Sequence, residues 1–339
     1  MARKTQPAWT RILAAYGKPS GLRSIFELTI TATPLVAFWI ADWLVYSHGY
    51  WWASLLLAIP AGGFVVRLFM IQHDCGHGAF FPNRRFNDWA GRIIGVVTMT
   101  PYDFWRHTHA IHHATSGNLD RRGVGDVEML TVSEYFDRTR WGRLKYRLFR
   151  NPFVMFGLGP AFVFLIQQRV PVGFMRDGWR PWISTQANNI AMAGVAAALI
   201  WLLGPKAFFL VHLPVMLIAA SIGVWLFYVQ HQFDVSFWSK GAEWSFHDAA
   251  LRGSSHYDLP WILRWFTANI GVHHVHHLSS RIPYYRLPEV LRDHPHLRDL
   301  GRITLLQSLG CVRLKLWDER RSRLVSFREA RRSLPHSGR

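Results

Sequence analysis

Long apolar segments are the feature that most limits what this chain can fold into. Ile25–Ser47 and Trp51–Ile71 are each long enough to cross a roughly 30 Å hydrocarbon core as a helix. Only the three residues His48–Tyr50 separate them, so they predict a helical hairpin. Trp51 and Trp52 suit the membrane interface at one end of the second helix, and Arg67 is expected to snorkel near the other end.

A second hairpin is predicted further along the chain. Ala207–Tyr228 is long enough to span, whereas Ile190–Leu203 is short and crosses only if its helix also takes in Trp182–Asn189. Phe153–Ile166 is apolar but only about 14 residues long, and it is interpreted as interfacial or half-inserted. The sequence therefore predicts an all-α integral membrane protein with four transmembrane helices in two hairpins, at about 25–47, 51–71, 186–203 and 207–229.

The distribution of charge predicts the orientation. The net charge is +18, from 39 Lys+Arg against 21 Asp+Glu, and such a basic apolar chain is either embedded in a bilayer or bound to nucleic acid. No nucleic-acid-binding motif is evident, and the basic residues lie between the apolar segments. Lys206 is the one basic residue in the two short turns, whereas residues 1–24 carry five, including Arg3 and Lys4, and the segment from Val312 carries nine. Both termini are therefore predicted to be cytoplasmic.

The same pattern divides the chain into three parts. Residues 1–24 are predicted as a cytosolic N-terminal segment, 25–310 as the membrane domain, and 311–339 as a basic cytosolic tail. The N-terminus lacks the apolar core of a cleaved signal peptide. The two cysteines, Cys75 and Cys311, form neither a zinc-type pair nor a disulfide framework, which suits a reduced, cytoplasm-facing protein.

Histidines form three clusters at repeating spacings. In the first, HDCGH, His73 and His77 stand four residues apart, so on a helix their rings face the same way. The second and third, HAIHH and HHVHH, repeat one pattern in which a histidine is followed by two more at positions three and four. His274 points away from the face that the rest of the third cluster shares.

The predicted topology brings these clusters to the cytoplasmic side, where they can converge with a histidine at the end of the fourth span. A single tetrahedral metal needs at most four ligands, so nine imidazoles fit two metals, and imidazole suits iron, copper, zinc and nickel. The predicted ligands are His73, His77, His109, His112, His113, His231, His273, His276 and His277.

These three clusters resemble the histidine boxes of the membrane fatty acid desaturases, in particular the bacterial and plant branch of delta-12 or omega-6 type. The flanking stretches ATSGNLDRRGVGDV, FYVQHQFD, ALRGSSHYDLP and NIGVHHVHHLSSRIPYYRLP are similar too, and the likeness covers roughly residues 25–310. The resemblance implies a cytosolic helical cap that carries a di-iron site, with His231 as the additional ligand. It implies O2 as co-substrate and electrons from an external donor such as ferredoxin, because the chain has no His-Pro-Gly-Gly haem motif of a fused cytochrome b5.

The chemistry explains why a metal is needed. An unactivated methylene has no acidic proton and no leaving group, so acid–base side chains cannot remove its hydrogen, and a redox cofactor must. Each ligand ring also needs an acceptor for its other nitrogen, for which Asp74, Asp234, Asp248 and Asp258 are candidates by sequence proximity. By the resemblance, Asn269 acts through a water. An acyl chain would enter from the bilayer between the hairpins, and an acidic electron carrier would suit the basic face.

Three functions remain open at this point. The first is an acyl-lipid desaturase that introduces a cis double bond, expected in a bacterial inner membrane. The second keeps the di-iron site for hydroxylation or ketolation of an alkane, sterol or carotenoid. The third, a membrane metal-binding or transport protein, requires ionisable residues deep inside the spans, and apart from His212 they have almost none near their middles.

Overall fold

The computed structural model describes residues 9–332, and these are mostly helical. Arg3 and Lys4, which entered the orientation argument, lie outside the described residues. The α-helices are, in chain order, α1 (Trp9–Leu13), α2 (Gly21–Ser47), α3 (Trp51–His77), α4 (Arg84–Val97), α5 (Tyr102–Thr115), α6 (Val132–Asp137), α7 (Arg140–Phe149), α8 (Gly159–Leu165), α9 (Arg180–Leu203), α10 (Pro205–Ala207), α11 (Leu213–His231), α12 (Phe246–Gly253), α13 (Trp261–Phe266), α14 (His273–Leu278), α15 (Leu287–Asp293), α16 (Leu305–Ser308) and α17 (Phe327–Arg332). The strands are β1 (Leu130–Thr131), β2 (His256–Asp258), β3 (Arg302–Thr304), β4 (Leu316–Asp318) and β5 (Arg323–Val325).

Four helices in the described part of the chain are long and apolar enough to cross a membrane, as predicted. They are α2, α3, α9 and the continuous segment Pro205–His231, in which a π-helical turn joins α10 to α11. Helix α9 begins at Arg180 and so includes the residues that the short apolar run needed to reach spanning length. Helix α3 continues past the predicted end at Ile71, and the first histidine cluster therefore lies on its last two turns rather than after it.

The apolar segment between the hairpins is bent. Arg140–Phe149 and Val154–Arg169 meet at 60° across a short break, which is the geometry of a broken span or a re-entrant loop. A full crossing here would put the second and third histidine clusters on opposite sides of the membrane, because α9 and α11 already supply two crossings between them. Those clusters meet at one site, as shown below, so the segment turns back.

Small sheets complete the part of the protein outside the spans. Strand β1 pairs in parallel with β4, which pairs antiparallel with β5, and β2 pairs in parallel with β3. Trp317 and Leu324 on the paired strands are buried. The segment from 311, predicted as a tail, thus contributes two strands and a helix to the packed structure as far as Arg332.

Arg67 does not snorkel to the interface. Its side chain is buried and forms an ion pair with Glu27 of α2, which also accepts a hydrogen bond from the Tyr284 hydroxyl at 3.0 Å. The Arg67 guanidinium donates to the Trp265 carbonyl and, at 3.1 Å, to Thr31 Oγ1. The prediction was wrong because Trp265 of α13 and Tyr284 cover this point of α3, and a buried cation needs a partner there.

Candidate metal centre and adjoining cavity

The first two histidine clusters lie on regular helices. His73 and His77 occupy the end of α3, which stops because Gly78 adopts the left-handed conformation (φ 67°) and its N–H bonds back to the last turn. His109, His112 and His113 share a face of α5. The first-turn residue Asp103 suits the positive end of that helix.

The third cluster lies on the six-residue helix α14, which is positioned by the chain around it. The backbone N–H groups of His273 and His274 both donate to the Ser255 carbonyl. Just before the helix, Ala268 and Asn269 adopt positive φ angles. Gly271 approaches β2 so closely that a Cβ would lie 2.3 Å from the Tyr257 carbonyl oxygen, so only glycine fits. All six residues of α14 are buried.

The nine predicted ligands converge into two adjacent groups, each with ligand nitrogens within 4.8 Å of one another. The ring of His113 in the first group stacks on that of His277 in the second, with centroids 4.2 Å apart. His274 belongs to neither group, and its Nε2 instead faces the Leu297 carbonyl oxygen at 2.9 Å. The five-histidine group comprises His73, His77, His109, His113 and His276, and the four-histidine group comprises His112, His231, His273 and His277.

The distances between ligand nitrogens fit metal coordination. In both groups, Nε2 atoms of different rings face each other at 3.1 Å, for example His112 with His231 and His113 with His276. Two nitrogens bound to one metal at about 2.0–2.1 Å lie about 2.9–3.4 Å apart for angles between octahedral and tetrahedral. Neutral rings that carry their proton on Nδ1 would otherwise place two lone pairs against each other, so the donor set fits two metal ions.

In three of the nine rings an acceptor outside the groups lies within reach of Nδ1. His112 Nδ1 lies 2.6 Å from Asp126, His73 Nδ1 lies 3.1 Å from Asp74, and His231 Nδ1 lies 3.3 Å from the Gly253 carbonyl. Asp126 follows His112 by 14 residues, and sequence reasoning missed it. The only signal was its place in the glycine-rich stretch GVGDV beside the second cluster.

Of the four carboxylates suggested by the sequence, only Asp74 contacts a ligand ring. Its second oxygen accepts from the Tyr284 N–H at 2.7 Å. Asp234 is exposed, Asp248 hydrogen-bonds Ser245, and Asp258 pairs with Arg302. The side-chain amide of Asn269 donates to the Tyr284 carbonyl at 3.3 Å rather than to a ligand.

Burial keeps the ligand rings uncharged. Removal from water, and then the neighbouring imidazoles, hold the pKa values of five ligands outside the spans well below the ordinary histidine value. Burial alone would raise the pKa of Asp126, but the hydrogen bond with His112 outweighs it and lowers that pKa. At neutral pH these five imidazoles are therefore neutral, as a metal requires. The five ligands are His109, His113, His273, His276 and His277.

A cavity of about 650 Å³ adjoins the metal centre and runs between the two hairpins. Its walls include His73, His109 and His273 at one end, and Val65 of α3 with Met216 of α11 at the other. From His73 back to Val65 is eight residues, or about 12 Å of helix. A second opening of about 610 Å³ reaches His77, His113 and His277 from the other side of the two groups.

The comparison with known families decides the identity of the chain. The family described as "Fatty acid desaturase" matches residues 50–305, which contain all nine histidines of the two groups. The chain belongs to the fatty acid desaturase family.

The named relatives are desaturases too, in agreement with the family match. A "Fatty acid desaturase" of Bacillus subtilis (strain 168) is 45% identical over 95% of this chain and 91% of its own length. An "sn-1 acyl-lipid omega-3 desaturase (ferredoxin)" of Synechocystis is 28% identical over 65% of this chain and 61% of its own length. A "Temperature-sensitive sn-2 acyl-lipid omega-3 desaturase (ferredoxin), chloroplastic" of Arabidopsis thaliana is 27% identical over 75% and 57%, respectively. The protein is thus an integral membrane oxidoreductase, a fatty acid desaturase, which favours the first of the three functions left open by the sequence.

Proposed function

We propose that this desaturase uses two iron ions, held by the nine histidines, to introduce a cis double bond into an acyl chain of a membrane lipid, at a delta-12 or omega-6 position. The observation that carries the proposal is that both metal-ligand groups lie at the end of an apolar cavity between the hairpins. The cavity gives an acyl chain a path from the bilayer to the metals without passing through water.

The reaction removes two hydrogens from adjacent methylenes. One O2 takes up these two hydrogens, two further electrons and two protons, and leaves as two water molecules, while the C–C bond becomes a double bond. When bound, the iron supplies the oxidising power that no side chain has. The electrons come from a separate electron-transfer protein, as the word "ferredoxin" in the names of two relatives supports.

The chain's own residues position the metals and exclude water. Asp126 and Asp74 fix the ring orientation of His112 and His73, and so aim Nε2 at the metal. On the cavity wall, Trp105 stacks on the His109 ring with centroids 4.5 Å apart. Apolar walls next to the metals keep bulk water from the reacting carbons.

The two openings suggest separate routes for the acyl chain and for oxygen and electrons. The cavity between the hairpins contacts His73, His109 and His273, whereas the second opening contacts His77, His113 and His277. The acyl chain occupies the first, and oxygen and electrons arrive from the second. The metal centre, both termini and the second opening face the cytoplasm of a bacterial inner membrane.

The decisive experiment measures product and metal together. The chain is expressed in a host without polyunsaturated lipids, and fatty acid methyl esters are analysed by gas chromatography while the purified protein is assayed for iron. A new double bond with two irons per chain is expected. His112→Ala and His276→Ala should abolish both, whereas His48→Ala, an exposed histidine in the α2–α3 turn, should change neither. An active protein without iron, or an alcohol or ketone as product, would contradict the proposal.

Orientation is tested separately by cysteine labelling. Ser133→Cys lies outside the spans near β1, and Ser47→Cys lies at the turn of the first hairpin; both positions are exposed. The native Cys75 and Cys311 are buried. In intact cells only Ser47→Cys should react with an impermeant maleimide, and the opposite result would invert the topology.

A further inference from the structure

Helix α7 has a basic and apolar outer surface. The helix, RWGRLKYRLF, carries four basic residues and no acidic one. Its inner face is anchored by the buried Tyr146, whose hydroxyl donates to the Lys315 carbonyl at 2.7 Å. On the outer face Trp141, Leu144 and Leu148 are 73%, 44% and 54% exposed. An apolar stripe flanked by cations is the pattern of a helix that lies in a membrane interface.

Three of the four cations on α7 are free to bind a ligand. Arg147 is engaged, since its Nε donates to the Tyr135 hydroxyl at 2.6 Å. The side chains of Arg140, Arg143 and Lys145 form no ion pair or hydrogen bond with any residue that the structure describes. On the amphipathic helix α4 two of the three arginines are paired, Arg84 with Asp88 and Arg92 with Asp103.

Lys145 lies next to the cavity that leads to the metals. Residues four apart are neighbours on a helix surface, so Trp141, Lys145 and Phe149 form one row that ends at Phe149. Phe149 is 39% exposed and lines the cavity, as do Val154 and Met155 just after the helix. The backbone of Lys145 therefore lies just over one turn, about 6 Å of helix rise, from that of Phe149 on the exposed cavity rim.

The rim offers no competing anion. Glu128 also lines the cavity, but Arg138 pairs with it at 3.0 Å. Asp126 is turned inward to His112. A negatively charged headgroup beside Phe149 would thus meet Lys145 without repulsion from an unpaired carboxylate.

We propose that α7 binds the phosphate of anionic phospholipids through Lys145, so that the preferred substrate is an acyl chain of an anionic phospholipid whose tail enters the cavity past Phe149. This rests on the proposed function, because it names the lipid class that the same site takes. Arg143 adds to the local positive potential, and Trp141 fixes the helix at the depth of the headgroups.

The test uses the full-length, iron-loaded protein in vesicles of equal parts phosphatidylglycerol and phosphatidylethanolamine that carry the same saturated chains. With oxygen and a reductant supplied, mass spectrometry of intact lipids gives the ratio of unsaturated phosphatidylglycerol to unsaturated phosphatidylethanolamine. The wild type should favour phosphatidylglycerol, and Lys145→Gln should lower the ratio about fivefold, the effect of one basic residue at an anionic surface. Lys145→Arg should keep the preference.

Two matched controls distinguish a local effect of Lys145 from a general effect of removing one positive charge from the protein. Lys206→Gln removes the same charge from the turn after α9, and Lys18→Gln removes it from an exposed position before α2. Both should leave the ratio unchanged. A wild-type ratio near one, a ratio unaffected by Lys145→Gln, or an equal fall in either control would overturn the inference. Activity only on acyl-coenzyme A would overturn the proposed function, and the inference with it. A wild type that desaturates no acyl substrate would overturn the proposed function itself, and the inference with it.

Discussion

Replacing Asp126 should loosen one metal and spare the other. Its carboxylate lies 2.6 Å from Nδ1 of His112, a member of the four-histidine group, and it contacts no ring of the five-histidine group. Asp126→Asn keeps the size and an acceptor oxygen but removes the charge that orients and polarises the ring. The four-histidine group should then bind its iron more weakly, while the five-histidine group keeps its own.

The expected size follows from the role of such partners. Loss of an acceptor behind a ligating histidine typically costs about 10- to 100-fold in metal affinity, or about 1.4–2.7 kcal/mol. Because asparagine still accepts a hydrogen bond, Asp126→Asn should lower the metal affinity about tenfold, and Asp126→Ala should lower it about a hundredfold.

The assay is iron content against chelator concentration. Purified protein is dialysed against graded chelator, and iron per chain is measured. Wild type should lose its metals at high chelator, whereas Asp126→Asn should lose one iron at about tenfold lower chelator and keep the second. Asp120→Asn is the matched control, because Asp120 is an exposed residue of the same loop that accepts only the Gly241 N–H at 2.8 Å in the structure described. A wild-type profile in Asp126→Ala, or loss of both irons in one step, would refute the reasoning.

Three further perturbations test other parts of the structure. Gly223 lines the cavity, and a Cβ at this position meets nothing within 4 Å. Gly223→Val should therefore shift the double-bond position or the preferred chain length, as measured by mass spectrometry of derivatised products. The control Gly194→Val, on the exposed face of α9, should change neither. Arg67→Met leaves the buried Glu27 with only the half-exposed Arg23 as a cationic partner. Thermal unfolding in detergent should therefore show a free energy of unfolding reduced by an amount toward the lower end of roughly 3–5 kcal/mol, and adding Glu27→Gln should partly restore it. An unchanged melting temperature would show that the ion pair does not stabilise the fold. Burial and neighbouring rings lower the pKa values of five histidines, namely His109, His113, His273, His276 and His277. Below about pH 6.5 the unfolded chain therefore binds more protons than the folded chain does. The metal-free protein should lose stability as the pH falls through that value, by up to about 1.4 kcal/mol per pH unit for each histidine. A flat melting temperature between pH 7.5 and 5.5 would contradict this.

Periodicity explains why the ligands could be read from the sequence. The histidines that share a face within each cluster stand three or four residues apart, as His73 and His77 do. This spacing follows the helical repeat, so the face that they share is set locally. His274 falls off that face by the same rule, and the structure turns it to the Leu297 carbonyl. The helix-length criterion likewise identified four spans, and the charge distribution supplied their predicted orientation.

Contacts set by tertiary packing could not be read in this way. Asp126 reaches His112 across a loop of glycines, where no repeat fixes direction. The partner of Arg67 lies 40 residues away on another span, and sequence distance made Asp234 and Asp258 look as suitable as Asp74. The pairing of β1 with β4 joins residues 130 and 316, beyond any local signal.

The ligand groups draw on distant parts of the chain, and this orders the protein's biogenesis. The five-histidine group needs His73 from α3 and His276 from α14, and the four-histidine group needs His112 from α5 and His277. Neither site can be completed on the ribosome until both hairpins have been made and α14 has emerged. If the proposed function holds, iron loading follows membrane insertion, and a chain truncated before residue 273 lacks ligands from both groups.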